Sequence, residues 1–263
     1  MIDYNNDINY GRFKIIEITK NAKAAHIASA LSCYDMLYFL YNYFLKINHY
    51  ADPLRDRFIL SKGHAAAALY VAMKQAGYLT NEQLETFGKT GSLLEEHPSP
   101  KLNGIEAASG SLGHGLAVAA GMALGSKIRN LENKNVVLMG DGEQNEGTVW
   151  EAALFASSKG LDNLIGIIDY NKWQATDRSN YVLNISSLSN KWESFGWSTI
   201  EIDGHDLQAF KEALNKKIVN KPKMIIANTI KGKGVSFMED DNNWHYRLPN
   251  DEEMAKIRIE LDQ

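Results

Sequence analysis

The chain has 263 residues, 44% of them hydrophobic and 23% charged, with a formal net charge of -4. That is a soluble composition for one large or two small domains, and its mild acidity argues against nucleic acid as a partner. A single cysteine, Cys33, excludes an intrachain disulfide and fits a reducing cytoplasm; no apolar run approaches the roughly 20 residues of a membrane span. The opening "MIDYNNDINYGRFKII" lacks the basic-then-apolar order of a signal peptide, so neither secretion nor a membrane is expected.

Residues 11–46 read as helix, with a break near Ala24 to Ser32; Leu37, Leu40, Tyr41 and Phe44 recur on one face. "RFILSKGHAAAALYVAMKQAG" reads as a short strand, a glycine-containing loop and an alanine-rich helix that stops at Gly77. "NEQLETFG" reads as a short helix after Thr80. Residues 88–113 carry seven Gly or Pro and are expected as a long loop, of the kind that is usually functional or disordered. "GHGLAVAAGMALGSKI" has a helical pattern built from small residues, which points to a buried helix packed closely on a neighbour. Then come "VVLM", a helix, "LIGIID", a polar loop, a helix, "STIEID", a helix and "MIIANT". Strands alternating with helices predict an α/β fold, a mostly parallel sheet with helices on both faces. Such sheets bind ligands beyond the carboxyl ends of their strands.

The chemistry gathers at those ends. "VVLM" runs into Gly140-Asp141-Gly142 and a helix; "LIGIID" ends thirty residues later in Asn171. Glycines let backbone approach an anion, and a helix start adds N–H donors. Asp141 and Asn171 supply a carboxylate and an amide oxygen, the hard donors that Mg²⁺ prefers beside phosphate and water. A lone Gly-Asp-Gly is usually only a tight turn. The order strand, Gly-Asp-Gly, helix, strand, Asn argues for a metal–diphosphate site. No Walker-type loop is present to suggest a nucleotide instead.

Seven histidines punctuate the chain: His26, His49, His64, His97, His114, His205 and His245. Imidazoles can donate to phosphate or sugar hydroxyls and move protons near neutral pH. His64, His97 and His245 stand in "SKGH", "EEHPSP" and "NNWHY", all turn or strand-end contexts. Lys231 and Lys233 flank Gly232 after a strand and are candidates for phosphate contact. Trp150, Leu154 and Phe155 are expected in the core, the Lys211–Lys221 run on a solvated face, and Asp206 as a helix N-cap beside His205.

Together "SKGHAAAALY", "EHPSPKLNGIEAASGSLGHGLAVAAGMALG", "GDGEQNEGTVWEAA" and "TIKGKGVSFMEDDNNWH" resemble the diphosphate-binding domain of transketolases, over roughly residues 10–248. The resemblance implies a thiamine diphosphate-binding fold of the diphosphate type, filling residues 1–263 as a single domain. It implies thiamine diphosphate held through Mg²⁺, with Ca²⁺ or Mn²⁺ as substitutes, and metal ligands Asp141, Asn171 and the carbonyl of Trp173. His64, Ser111, Leu112, Gly140, Gly142, Glu143 and His245 would join them around the cofactor, Gly142 donating its N–H to the diphosphate. His26, His64, His97 and His245 would form the catalytic histidines, with His97 on the substrate hydroxyls. Glu146 would lie at a subunit interface. Two positions depart from the family: His26 follows Ala25 where the family usually has Gly, and His114 stands where many full-length members carry Gln. His49 and His205 match no catalytic position.

Full-length members of that family carry two further domains, one of which brings the glutamate that activates the cofactor's pyrimidine. No second strand–helix module here could supply it; Glu82, Glu85, Glu95 and Glu96 stand in no suitable block. The resemblance therefore implies the N-terminal subunit of a split transketolase. A separate C-terminal subunit would carry the pyrimidine-binding domain, with two copies of each chain. The activity implied is transfer of a two-carbon ketol unit between sugar phosphates, as in pentose phosphate metabolism or a dedicated sugar pathway. Alternatives are a 1-deoxyxylulose-5-phosphate synthase-like enzyme, the α subunit of a 2-oxoacid dehydrogenase, and a non-catalytic scaffold subunit.

Overall fold

Apolar spacing and glycine placement set the elements in chain order. The computed structural model describes residues 4–263; Met1, Ile2 and Asp3, the head of the N-terminal stretch read above, lie outside the described residues. The α-helices and strands among the described residues are α1 (Asn5–Ala22), α2 (Ile27–Phe39), β1 (Arg57–Leu60), α3 (Ala66–Gln75), α4 (Asn81–Leu84), α5 (His114–Ile128), β2 (Asn135–Gly140), α6 (Gly147–Ser158), β3 (Leu164–Tyr170), α7 (Ser179–Val182), α8 (Leu188–Ser194), β4 (Ser198–Asp203), α9 (Leu207–Asn215), β5 (Lys223–Asn228) and α10 (Asp251–Glu260). Residues 88–113 hold turns and bends without helix or strand, as expected. No helix among the described residues is long and apolar enough to cross a membrane.

Contacts group the chain into two compact units. The first comprises Met1–Phe44, His64–His97 and Thr229–Gln263; the second comprises Leu45–Gly63 and Pro98–Asn228.

The first unit is helical. The break after α1 is short: Lys23 takes a left-handed conformation and the helix resumes at Ile27. Every residue of α2 is buried, so packing overrides the break expected as far as Ser32. Arg12 of α1 grips Asp35 of α2, with Nη2 donating to both carboxylate oxygens at 2.8 and 2.7 Å. Gly77 (φ 82°) closes the turn after α3, and Thr80 caps α4 in a reciprocal capping box with Gln83.

The second unit holds a five-stranded, wholly parallel sheet in the order β1-β2-β3-β5-β4. Val137 and Met139 join a core cluster with Leu116 and Ala120 of α5, Val149 and Ala153 of α6, and Trp192 of α8. Val136 and Leu138 on the opposite face are buried too. This explains why β2 reads as a continuous apolar run rather than an alternating one. The lysines of the Lys211–Lys221 run are exposed while Ala213 and Leu214 between them are buried, and Asp206 caps α9 through the N–H groups of Gln208 and Ala209, as expected.

Two expectations about burial are corrected. α5 buries only one side: Ala117, Val118, Gly121 and Ile128 are exposed. On α6, Leu154 and Phe155 are 57% and 40% exposed rather than core. Trp150 packs against the core as expected. Small side chains let α5 lie close on the sheet with one face, while its outer face stays apolar and uncovered within this unit.

Asp35→Ala would strand the buried Arg12 guanidinium. Urea denaturation should show a loss of about 3–5 kcal/mol; a loss below about 1 kcal/mol would mean the pair does not hold α1 on α2.

Candidate active site

The carboxyl ends of the strands converge in the second unit. The register sets Gly140 of β2 opposite Asp169 of β3, so Asp141 and Asn171 lie at neighbouring strand ends. A backbone clasp joins them: the N–H of Lys172 donates to Asp141 Oδ2 at 2.8 Å, and Ser179 Oγ donates to the same oxygen at 2.8 Å. Lys172 can do this because it adopts a left-handed φ of 70°. That turn also lets the N–H of Trp173 donate to Asn171 Oδ1 at 3.0 Å, which holds the Trp173 backbone beside the Asn171 amide. Arg178 stacks over the Trp173 ring, 3.9 Å from its centroid.

Glu143 ties three segments to this edge. Its Oε1 accepts from Ser61 Oγ and from the Gly113 N–H at 2.7 Å; its Oε2 accepts from the Gly140 N–H at 3.2 Å. Ser61 follows β1, Gly113 precedes α5 and Gly140 ends β2. Glu143 is 1% exposed, and burial raises its carboxyl above the ordinary range against the pull of those three bonds.

Lys62 reaches past the end of β2 to Asp169 in a fully buried ion pair. Asp169 Oδ2 also accepts from Asn171 Nδ2 at 3.3 Å, which turns the Asn171 oxygen away from Asp169. Among the described residues, the buried ionisable groups of this edge are Asp141, Glu143, Asp169 and Lys62. Burial pushes Asp141 up to about 6, Asp169 adds to the rise, and the Ser179 hydroxyl opposes it. A divalent cation is the charge that such an edge accommodates. Among the described residues no three His, Cys, Asp or Glu side chains form a metal cage. The donor set of one carboxylate, one amide oxygen and a backbone carbonyl fits Mg²⁺ completed by phosphate and water.

Close approach requires glycine at Gly63: a Cβ there would lie 2.7 Å from Ser109 Oγ and 2.8 Å from the Ser109 backbone. Ser109 Oγ is buried without a hydrogen-bond partner. Ser111 is exposed and Leu112 half-buried on the same loop. The N–H of Gly142, expected at a diphosphate, donates to Asp141 Oδ1 at 2.8 Å within the chain. Glu146 is exposed at the start of α6.

The first unit carries the histidines. His26, His64 and His245 form a cluster with ring centroids 5.2 Å (His26–His64), 4.8 Å (His26–His245) and 6.2 Å (His64–His245) apart. His26 takes a left-handed φ of 74° at the start of α2, and its N–H donates to the His245 carbonyl at 2.8 Å. That conformation is costly for a residue with a Cβ and marks a constrained site. Tyr246 stacks edge-on at 4.6 Å from His245. His97 is exposed on its loop and makes no ring contact with these three. Of the two lysines flanking Gly232, Lys233 pairs with Glu239 at 3.1 Å and Lys231 is buried beside His245.

Sequence reasoning singled out Asp141, Asn171 and the clustered histidines but missed Ser61, Lys62, Asp169 and Ser179. Ser61 and Lys62 lie inside the "SKGH" block, and Asp169 two residues before Asn171, so proximity to the motifs was the only available signal. Ser179 carried none.

The family model described as the transketolase, thiamine diphosphate binding domain matches residues 4–262. One subunit of an apulose-4-phosphate transketolase from Phocaeicola vulgatus is 39% identical over 256 residues, covering 96% of this chain and 91% of that protein. The 6-deoxy-6-sulfo-D-fructose transketolase subunit SqwG of Clostridium sp. is 38% identical, covering 98% and 95%. The crystal structure of transketolase from Campylobacter jejuni superposes with a TM-score of 0.92 at 30% identity, and there the chain spans 100% of itself but 43% of that protein.

Glu143→Ala removes the acceptor for Ser61 Oγ and for the Gly113 and Gly140 N–H groups. Stability should fall by about 3 kcal/mol, and hydrogen exchange should quicken at Gly113 and Gly140 together. Unchanged exchange at both amides would contradict the role assigned to this carboxylate.

Proposed function

Because the chain belongs to the transketolase family, carrying its thiamine diphosphate-binding domain, we propose that it is the N-terminal subunit of a split, Mg²⁺-dependent transketolase. It transfers a two-carbon ketol unit from a ketose phosphate to an aldose phosphate in the cytoplasm. Residues 1–263 form one diphosphate-binding domain in this reading, and a separate C-terminal subunit supplies the pyrimidine-binding domain, with two copies of each chain. The observation that carries it is the clasp from Lys172 to Asp141, which sets Asp141 beside Asn171 at adjacent strand ends. Near-complete coverage of relatives that are themselves named as subunits supports the two-chain arrangement.

Asp141, Asn171 and the Trp173 carbonyl would hold the metal, with Ser179 and Asp169 orienting the first two. Thiamine diphosphate, when bound, supplies the nucleophilic carbon and the electron sink for ketol transfer. Ser111 and Leu112 would border it, with Gly140, Gly142 and Glu143 shaping the loop beneath. His26, His64 and His245 would hydrogen-bond diphosphate or sugar oxygens, and His97 the substrate hydroxyls. The uncovered apolar face of α5 and α6, with Glu146 nearby in sequence, is the surface offered to other subunits.

Isothermal titration of the assembled complex should show thiamine diphosphate binding with Mg²⁺. Asp141→Ala should weaken it by about a hundredfold or more, since even the supporting residues of metal sites are worth tenfold to a hundredfold. Unaltered affinity would remove the metal reading. His97→Ala should lower kcat by about a hundredfold while cofactor affinity holds; the reverse pattern would place His97 on the cofactor. Ketol-transfer assays of the chain with and without its partner test the two-chain arrangement, which full activity of the lone chain would overturn.

A further inference from the structure

The link from β5 to the histidine cluster contains a buried lysine whose chemistry constrains one imidazole. Gly232 takes φ 79° and donates its N–H to the Ala28 carbonyl at 3.0 Å; a Cβ there would lie 2.6 Å from the Met238 carbonyl carbon. This turn, with the Asp240 N–H donating to the Lys231 carbonyl at 2.8 Å, holds Lys231 inward, where it is 1% exposed. Its Nζ donates to Asn242 Oδ1 at 2.6 Å and stands 3.1 Å from His245 Nδ1. Ser29 Oγ lies 3.5 Å from the same ring nitrogen.

An ammonium has three hydrogens to give and no lone pair to receive one. With Lys231 in its ordinary ammonium form, the ring nitrogen beside it is the acceptor. A neutral imidazole that accepts at Nδ1 carries its hydrogen on Nε2. The doubly protonated ring would aim an N–H, and a like charge, at the ammonium. The ring is packed between the edge-on rings of His26 and Tyr246, at 88° and 78°.

We propose that Lys231 is a positioning residue that fixes His245 as the neutral Nε2–H tautomer, so that this imidazole meets its ligand only as a hydrogen-bond donor. Resting on the function proposed above, the ligand atom is an oxygen with a lone pair, on a diphosphate or a sugar hydroxyl. Lys231 itself acts through His245 and Asn242. The neighbouring Lys233, paired with Glu239, is not equivalent to it.

The test is nitrogen NMR of the full chain labelled with ¹⁵N-histidine, the His245 signals being assigned by their loss in His245→Gln. Near neutral pH, wild-type His245 should carry its hydrogen on Nε2 and none on Nδ1. Lys231→Met should release this bias, with an Nδ1–H population appearing. An Nδ1–H tautomer or an imidazolium in the wild type overturns the proposal, whether or not the variant folds. An unchanged tautomer in folded Lys231→Met overturns it equally. In the assembled enzyme, Lys231→Met should lower kcat by about tenfold or more, and wild-type kcat would count against the positioning role. The tautomer is read without cofactor or turnover. A complex that binds no thiamine diphosphate, yet shows Nε2–H on His245, would fail the functional reading and uphold this one.

Discussion

Three segments far apart in sequence meet at one buried carboxylate. Glu143 accepts from the residue after β1, the residue before α5 and the last residue of β2. Gly140 precedes Asp141, Gly113 sets the start of α5 and Ser61 precedes Lys62, so the placing of each depends on that acceptor. A carboxylate can serve three donors because, when ionised, it has about four acceptor positions and no hydrogen of its own. Its burial is costly, as its raised pKa reflects, and three charge-assisted bonds offset that cost.

Charge is handled differently in the two units. At the sheet edge Lys62 neutralises Asp169, and Asp141, pushed up to about 6, remains the group that a cation would favour in its ionised form. The donors gathered at this edge are hard oxygens, carboxylates and an amide. Among the histidines, a buried ammonium faces a ring nitrogen instead, and the outcome there is direction, a choice of which nitrogen donates. The same residue type thus balances a carboxylate in one place and sets a tautomer in the other.

The helices after the sheet's first loops illustrate a limit of pattern reading. α5 is alanine- and glycine-rich, and α6 carries Leu154 and Phe155, so both read as buried. Each buries one face against the sheet and leaves the other uncovered in this unit. Hydrophobic composition reports that a surface avoids water, not which chain covers it. Apolar side chains left exposed on adjacent helices fit a protein that works as part of an assembly.

The sequence by itself determined the parallel α/β fold, because apolar runs alternating with helical periods admit few other arrangements. It also determined the pairing of Asp141 with Asn171 and the family, because those depend on residue identity at fixed spacing within local strand–loop–helix units. It placed Gly77, Thr80 and Asp206 at helix boundaries, where capping chemistry is local. Tertiary structure alone decided that Lys62 reaches Asp169, that Ser179 and Lys172 hold Asp141, that Glu143 binds protein donors, and that Lys231 faces His245. Those contacts join residues up to 107 positions apart, and their geometry follows from strand order and loop conformation. Neither is written in the local pattern, since a left-handed turn at Lys172 or His26 exists only because the surrounding packing holds it there.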